Sequence, residues 1–250
     1  MVKGRQYTEP ADPGSAPGRV SIVIPMLDEA RIIRDALHRL QPLRHAGHEV
    51  ICVDGGSRDG TAKCCEGLAD RVLSAPQGRA LQMNAGAAQA RGSILLFLHA
   101  DTRLPSGAVQ RILERLGSAP AAGWGFFAVR LDGVGPAFRV IERAMSLRSR
   151  LTGIGTGDQA LFVTRTLFRR VGGFPQIPLM EDVALSRLLK RTAGRPIWIS
   201  SPVTSSARYW KRHGVTRSVL RMWWLRAAFF LGADPARLHV RYYGRGSNAH

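Results

Sequence analysis

Apolar residues fall into two rhythms along this chain, and the alternation between them sets the expected fold. Residues 20–25, VSIVIP, are an unbroken apolar run rich in β-branched side chains, as in a strand buried on both faces. Over 28–46 the spacing lengthens, and Ile32, Ile33, Ala36, Leu37 and Leu40 share one side of a helix. The pattern then repeats. EVICVD (49–54) reads as a second buried strand, with a helix from about Asp59. RVLSAP (71–76) is a short third strand, GRALQMNAGAAQARG (78–92) a helix of small residues, and SILLFLH (93–99) a fourth strand. Such alternation predicts βαβ units and a parallel sheet. Ligands of open α/β sheets sit beyond the carboxyl ends of the strands. Pro25–Glu29, Asp54–Asp59 and His99–Asp101 all fall there.

The rest of the chain is less regular. FFAVRLD (126–132) and ALFVTR (160–165) read as strands joined by longer connections, and helices are expected over 181–193 and 213–232. With neither repeat nor linker, residues 19–244 read as one domain with two lobes, 19–104 and 105–244. A disordered leader (1–18) and a tail (245–250) flank it. The leader has no apolar core of the kind a secretory signal needs.

Charge changes the picture. There are 36 basic against 18 acidic residues, a formal net charge of +18, and 32 of the basic residues are arginines. Guanidinium forks suit phosphate, so the excess points to phosphate-rich ligands, nucleic acid or an anionic membrane surface; arginine-favouring codon usage explains it equally well. Cys52, Cys64 and Cys65 have no paired spacing, which argues against a disulfide framework or cysteine zinc site and for a reducing, cytoplasmic setting. The most apolar run, MWWLRAAFFLGA (222–233), is broken by Arg226 and is too short to span a bilayer. In its helix, Val219, Met222, Trp223, Leu225, Phe229 and Phe230 stand among Arg217, Arg221 and Arg226. Those side chains either close the core or lie on an anionic membrane, which would put the protein at the inner membrane face.

Five segments in order, SIVIPMLDEA (21–30), VDGGSRDGT (53–61), HAD (99–101), GDQALF (157–162) and MEDVALSRLLKR (180–191), resemble the family 2 glycosyltransferases. The resemblance implies the α/β GT-A fold: a Rossmann-like, mostly parallel sheet flanked by helices, with an acceptor-side lobe and a C-terminal helix. The segment 204–244 is further similar to a short, soluble branch of that family often associated with arsenosugar biosynthesis. The implied activity is an inverting, metal-dependent transfer of sugar from a UDP- or GDP-linked donor to a hydroxyl acceptor.

The resemblance also assigns roles, and each residue has an ordinary structural reading beside it. Pro25 and Glu29 end the first strand on the nucleoside side; Asp28 stands where the family usually has asparagine. Asp54, before two glycines, is the acceptor for a base N–H, or simply a turn aspartate. Gly78 and Arg79 open a helix suited to the diphosphate, and Asn84 and Gly86 are small residues on a helix that packs near the donor in relatives. HAD replaces the acid–any–acid pattern, so Asp101 is the carboxylate for Mg²⁺ or Mn²⁺ and His99 a second candidate ligand. Gly157, Asp158, Gln159 and Glu181 line the acceptor side, and Asp182 is the general base or a helix cap. Arg208 and Trp210, in SARYW, are similar to the arginine–tryptophan pair of processive relatives, an arginine for the donor and a tryptophan for the acceptor sugar. His213 is either a metal neighbour or a surface histidine.

Two rival functions are weighed. A nucleotidyltransferase should carry a Gly-rich basic loop after strand one, where this chain has the acidic PMLDEA. A nucleic-acid-binding protein should carry a stacking platform, but aromatics are 7% and the arginines are dispersed, so no nucleic-acid partner is expected. A dehydrogenase is disfavoured, because no G-x-G-x-x-G follows strand one.

Overall fold

The computed structural model describes residues 16–118 and 123–244. The expected leader and tail fall largely outside them, except that the first strand, β1, begins at Ala16, ahead of the expected Arg19. Strands β1 (Ala16–Met26), β2 (Glu49–Asp54), β3 (Arg71–Ser74), β4 (Gly92–Phe97), β5 (Trp124–Leu131), β6 (Phe162–Thr164) and β7 (Ile197–Ser205) form one sheet in the order β3-β2-β1-β4-β6-β5-β7. The pairs β1–β2, β1–β4, β2–β3 and β5–β7 are parallel, and β6 alone runs against its neighbours β4 and β5. This is the mostly parallel α/β sheet that the GT-A resemblance implies.

Apolar runs without alternation become central strands because both faces are covered. Val20, Ile22 and Ile24 of β1 pack with Val50, Leu96 and Phe162 under helix α1 (Ala30–His45) and α4 (Ala108–Ser118). Val23, Ile51, Val53, Leu95 and Phe97 face the other way, against α3 (Arg79–Gln89), α6 (Arg165–Arg170) and α7 (Glu181–Ala193). Glu49, 1% exposed, accepts from Ser21 Oγ at 2.6 Å and from the Arg91 N–H at 2.9 Å, at the end of the sheet away from the loops of interest.

Several expectations are revised. The helix from Asp59 is one turn, α2 (Thr61–Cys64). The long connections hide α4, α5 (Pro136–Thr152) and β7. Helix α5 carries standard punctuation, Pro136 at its first turn and left-handed Gly153 after its end. Its exposed Val140, Leu147 and Leu151 blur the helical stripe. Pro202 and a register shift opposite Phe127 and Ala128 interrupt β7. The helix expected over 213–232 is α9 (Val215–Phe230), preceded across Gly214 by an unexpected α8 (Arg208–His213) and followed by α10 (Pro235–Tyr243). Of the six apolar residues expected to share one role there, Leu225 is buried, and Val219, Met222 and Phe229 pack on buried clusters. Trp223 and Phe230 remain exposed.

Gly86, expected to be small for a ligand's sake, is small for the sheet's. A Cβ there would strike Val23 Cγ1 and lie 3.0 Å from Val53 Cγ2. Gly86→Ala should therefore destabilise despite the better helix former: overpacking costs about 1–3 kcal/mol against a helical gain of about 1 kcal/mol. A fall in Tm of roughly 2–8 °C is expected. Gly117→Ala, where a Cβ meets nothing within 4 Å, should raise Tm in the same thermal melts.

Candidate active site

Strand β1 has β2 on one side and β4 on the other, so the connections leave in opposite directions and a crevice opens beyond the carboxyl ends of β1 and β4. Two loops at this edge are laced together. Asp28 Oδ1 accepts from the Arg58 N–H at 2.8 Å, and the Asp28 N–H donates to Ser57 Oγ at 2.9 Å. The Glu29 N–H donates to Thr61 Oγ1 at 2.8 Å, and the Ala30 N–H to Asp59 Oδ2 at 3.0 Å. Asp28 sits at φ 52°, a region that asparagine and aspartate tolerate better than most residues, so aspartate fills the position expected of asparagine. Below the loops, buried Gln82 donates from Nε2 to the carbonyls of Met26 (2.8 Å) and Val53 (2.9 Å).

Asp54 is already occupied by its own loop. Its carboxylate accepts from the N–H groups of Gly56 and Ser57 and from Ser57 Oγ. The turn reading therefore describes the carboxylate as it stands, although two carboxylate oxygens retain further lone pairs. Pro25 is buried within β1.

Beyond β4, two carboxylates meet one cation. Arg208, at the start of α8, stands 3.5 Å from both Glu29 Oε2 and Asp101 Oδ2. Burial raises the pKa of Glu29 and Asp101 adds to the rise, with Arg208 opposing. Trp210, two residues on, turns away and packs beside Leu131, Phe138 and Ile141. The ring of His213 lies on Tyr209, 4.5 Å between centroids, with Nδ1 3.0 Å from the Tyr209 carbonyl.

The third wall is built by the turn Gly157–Gln159 and the start of α7. Gly157 lies so close to His99 that a Cβ would come within 2.5 Å of the imidazole. Its N–H donates to Asp182 Oδ2 at 2.7 Å, and the Val183 N–H donates to Asp182 Oδ1 at 2.7 Å, so Asp182, in the first turn of its helix, ties that helix to the turn. Gln159 is fully buried. Its Oε1 accepts from Ser149 Oγ and from the N–H and Oγ1 of Thr156, and its Nε2 donates to the Phe127 carbonyl. It is a bolt under the turn, not the ligand contact the sequence led us to expect.

The charges of this wall are unequal. Burial raises the pKa of Glu181 to about 7, with Asp182 adding and Arg79 opposing. Burial raises Asp158 too, against a Thr156 hydrogen bond and the charges of Arg148 and His99. Burial, then Arg79, lowers His99 to about 4, so its ring is neutral at physiological pH. Gly78, Arg79 and Glu181 line a cleft of about 390 Å³ together with Pro178, His239 and Tyr243.

The structure thus brings Glu29, Asp101 and Arg208 together, and His99, Gly157, Asp158, Asp182 and Glu181 around one turn. Trp210 and Gln159 are not part of either group. Sequence reasoning missed Asp59, Thr61 and Gln82, whose roles are ties between loops, and Arg148, a half-buried cation on α5 facing Asp158 and Asp182. The SRDGT run after strand two hinted at the loop ties; nothing marked Gln82 or Arg148.

Comparisons with known proteins bear on the family and the fold. An undecaprenyl-phosphate 4-deoxy-4-formamido-L-arabinose transferase of Pseudomonas paraeruginosa is 32% identical over 107 residues, 38% of this chain and 32% of the relative. The match thus spans about a third of that relative's length. Staphylococcus aureus TarS residues 1–349, solved with UDP-GlcNAc, has a TM-score of 0.61 at 17% identity, covering 76% of this chain and 59% of TarS 1–349. The mannosyltransferase PcManGT from Pyrobaculum calidifontis, solved with GDP-Man and Mn²⁺, has a TM-score of 0.57 at 21% identity, covering 97% and 70%. At such identities the likeness establishes the fold. The sequence profile of glycosyl transferase family 2 matches residues 21–171, more than half of the 250, and by that measure the chain belongs to glycosyl transferase family 2.

Proposed function

We propose that this protein transfers a sugar, with inversion, from a UDP- or GDP-linked donor to a hydroxyl acceptor, assisted by Mg²⁺ or Mn²⁺. The observation that carries the reading is the convergence of Glu29, Asp101 and Arg208 beyond β1 and β4, with Asp182 across the turn that touches His99. Residues 19–104 act as the donor half and 105–244 as the acceptor half, although one sheet runs through both. Family membership and the donors in the TarS and PcManGT structures support the same class.

Two carboxylate oxygens already face a single cation, and such hard donors suit Mg²⁺ or Mn²⁺. Among the described residues no set of three or more His, Cys, Asp or Glu could hold an ion unaided, so donor oxygens and water must complete the shell. When bound, the ion would be held by Asp101, with Glu29 beside it on the nucleoside side, and would neutralise the leaving diphosphate. Arg208 and Arg79 add positive charge on the donor side. His99, neutral and pressed on Gly157, orients that turn and remains a candidate second ligand. Asp182 takes the proton of the acceptor hydroxyl: its oxygens each accept one backbone N–H and keep lone pairs free. Glu181, half-protonated near neutral pH, limits the negative charge crowded beside that base.

Three outcomes are expected. Asp182→Asn should lower kcat by on the order of 10²- to 10⁴-fold with donor affinity unchanged. Because the amide loses one of the two N–H contacts, stability should fall by about 1 kcal/mol. Near-normal transfer at saturating substrates would remove Asp182 as base. Asp101→Ala should abolish the Mn²⁺-dependent part of nucleoside diphosphate affinity in titration calorimetry; an unchanged metal effect would exclude its role. Glu181→Gln tests the buried acid. Its folded pKa lies above the unfolded 4.5, so the folded state binds the extra proton and stability drains away as pH rises from about 4.5 through 7. The variant should match wild type near pH 4.5 and exceed it by roughly 1–3 kcal/mol above pH 7. His99, depressed to about 4, slopes the opposite way below 6.5 in both proteins, so the comparison is made at each pH.

A further inference from the structure

Helix α9 is apolar on both sides. Its inner side, Met222, Leu225 and Phe229, packs on Leu179, Met180, Val183 and Leu238. Its outer side repeats at helical spacing through Leu220, Trp223, Trp224, Ala227, Phe230 and Leu231. Trp223 is 66% exposed, Leu220 63%, Phe230 51% and Leu231 88%. A helix that buries one face in a core ordinarily turns polar residues outward; this one presents a second apolar face flanked by Arg217 and Arg226. Beside it runs a groove of about 690 Å³ between α9 and α10, lined by Arg217, Leu220, Arg221, Trp224, Leu225 and Arg241. Arg241 lies 4.1 Å over the ring of Trp224, and Arg221 donates to the carbonyls of Arg241 and Tyr242, which fixes α10 against α9. From residue 183 to the C-terminus the sequence has 13 lysines and arginines and one acid, Asp234.

We propose that this outer face of α9, with the arginine groove beside it, docks on an anionic lipid bilayer. Tryptophan favours the boundary between headgroups and acyl chains, where its ring is buried and its N–H stays wet. Arg217 and Arg241 then meet lipid phosphates, an attraction that acts within about a Debye length. The contact is peripheral, since no helix among the described residues is long and apolar enough to cross a membrane. A second copy of the chain is the rival occupant, and charge opposes it: two arginine-lined faces would be set against each other, each chain carrying +18. The inner residues Met222 and Phe229 have no part in docking. Through His239 and Tyr243, α10 also lines the cleft at Arg79 and Glu181, so the docking face and the site share a helix.

The inference does not depend on sugar transfer, so its test reads binding alone. The full chain is floated with vesicles of phosphatidylcholine, with and without phosphatidylglycerol, at low and high salt. It should rise with the anionic vesicles at low salt, less at high salt, and not with neutral ones. Trp223→Ser with Trp224→Ser should weaken partitioning by on the order of tenfold or more, since two buried rings are lost. Their exposure means the variant should stay folded, with a small fall in Tm from the lost Arg241–Trp224 contact. If that variant fails to fold, Arg217→Glu with Arg241→Glu is used instead, and should abolish binding at low salt. Wild-type chain that stays with the protein fraction at low salt overturns the proposal. So does a folded variant that floats as well as wild type, or a stable dimer in sedimentation that the tryptophan variant splits.

Discussion

A buried amide determines the shape of the crevice. Strands β1 and β2 end side by side, which brings the carbonyls of Met26, the last residue of β1, and Val53, the last but one of β2, within reach of one side chain. Gln82 closes both with one nitrogen, from a helix pressed so tightly on the sheet that Gly86 admits no side chain. An added Cβ at Gly55 would lie 3.0 Å from the same amide, which explains a glycine directly after Asp54. With the strand ends fixed, the loops above them have little freedom, and Asp28, Asp59 and Thr61 remove the remainder by hydrogen-bonding across the gap. Glu29 stands on this frame, consistent with the rule that functional side chains need supports more rigid than themselves.

The wall formed by the Gly157 turn and the start of α7 works through unequal desolvation. Glu181 and Asp182 are neighbours in sequence, yet one lies in the core and the other is held at the mouth by two backbone N–H groups. Burial and mutual repulsion push the inner acid towards its neutral form. A helix start, often read as mere capping, thus separates two carboxylates into different chemical states.

Residues that follow strict period were legible in the sequence, and so was the edge where they end. VSIVIP, EVICVD and SILLFLH became β1, β2 and β4 because both faces are covered, and the placement of Glu29 and Asp101 followed from the sheet rule alone. What escaped was anything whose meaning depends on distant partners. Gln159 resembles a ligand contact in a motif, but its four hydrogen bonds go to Ser149, Thr156 and Phe127. Trp210 sits two residues from Arg208, and a helical turn is enough to send the two side chains in different directions. Helix α5 has both terminal signals, yet its exposed apolar residues mask the stripe that would have identified it. Short motifs therefore pointed to the loops at this edge of the sheet without telling which of their side chains are already engaged by the fold.

Asp28, Ala160 and Met180 are the non-glycine residues with left-handed backbone among those described, and each borders the site: after β1, after the Gly157 turn, and before α7. A side chain with a Cβ holds that conformation at a penalty of about 1–2 kcal/mol. Surrounding packing has to supply it, which Met180 and Ala160, both buried, make visible. The polypeptide therefore carries backbone strain at three points around one crevice, least at Asp28, whose residue type tolerates the region. Glycine at Ala160 or Met180 would relieve that strain and leave the rim freer to move, so the side chains there trade fold stability for stiffness.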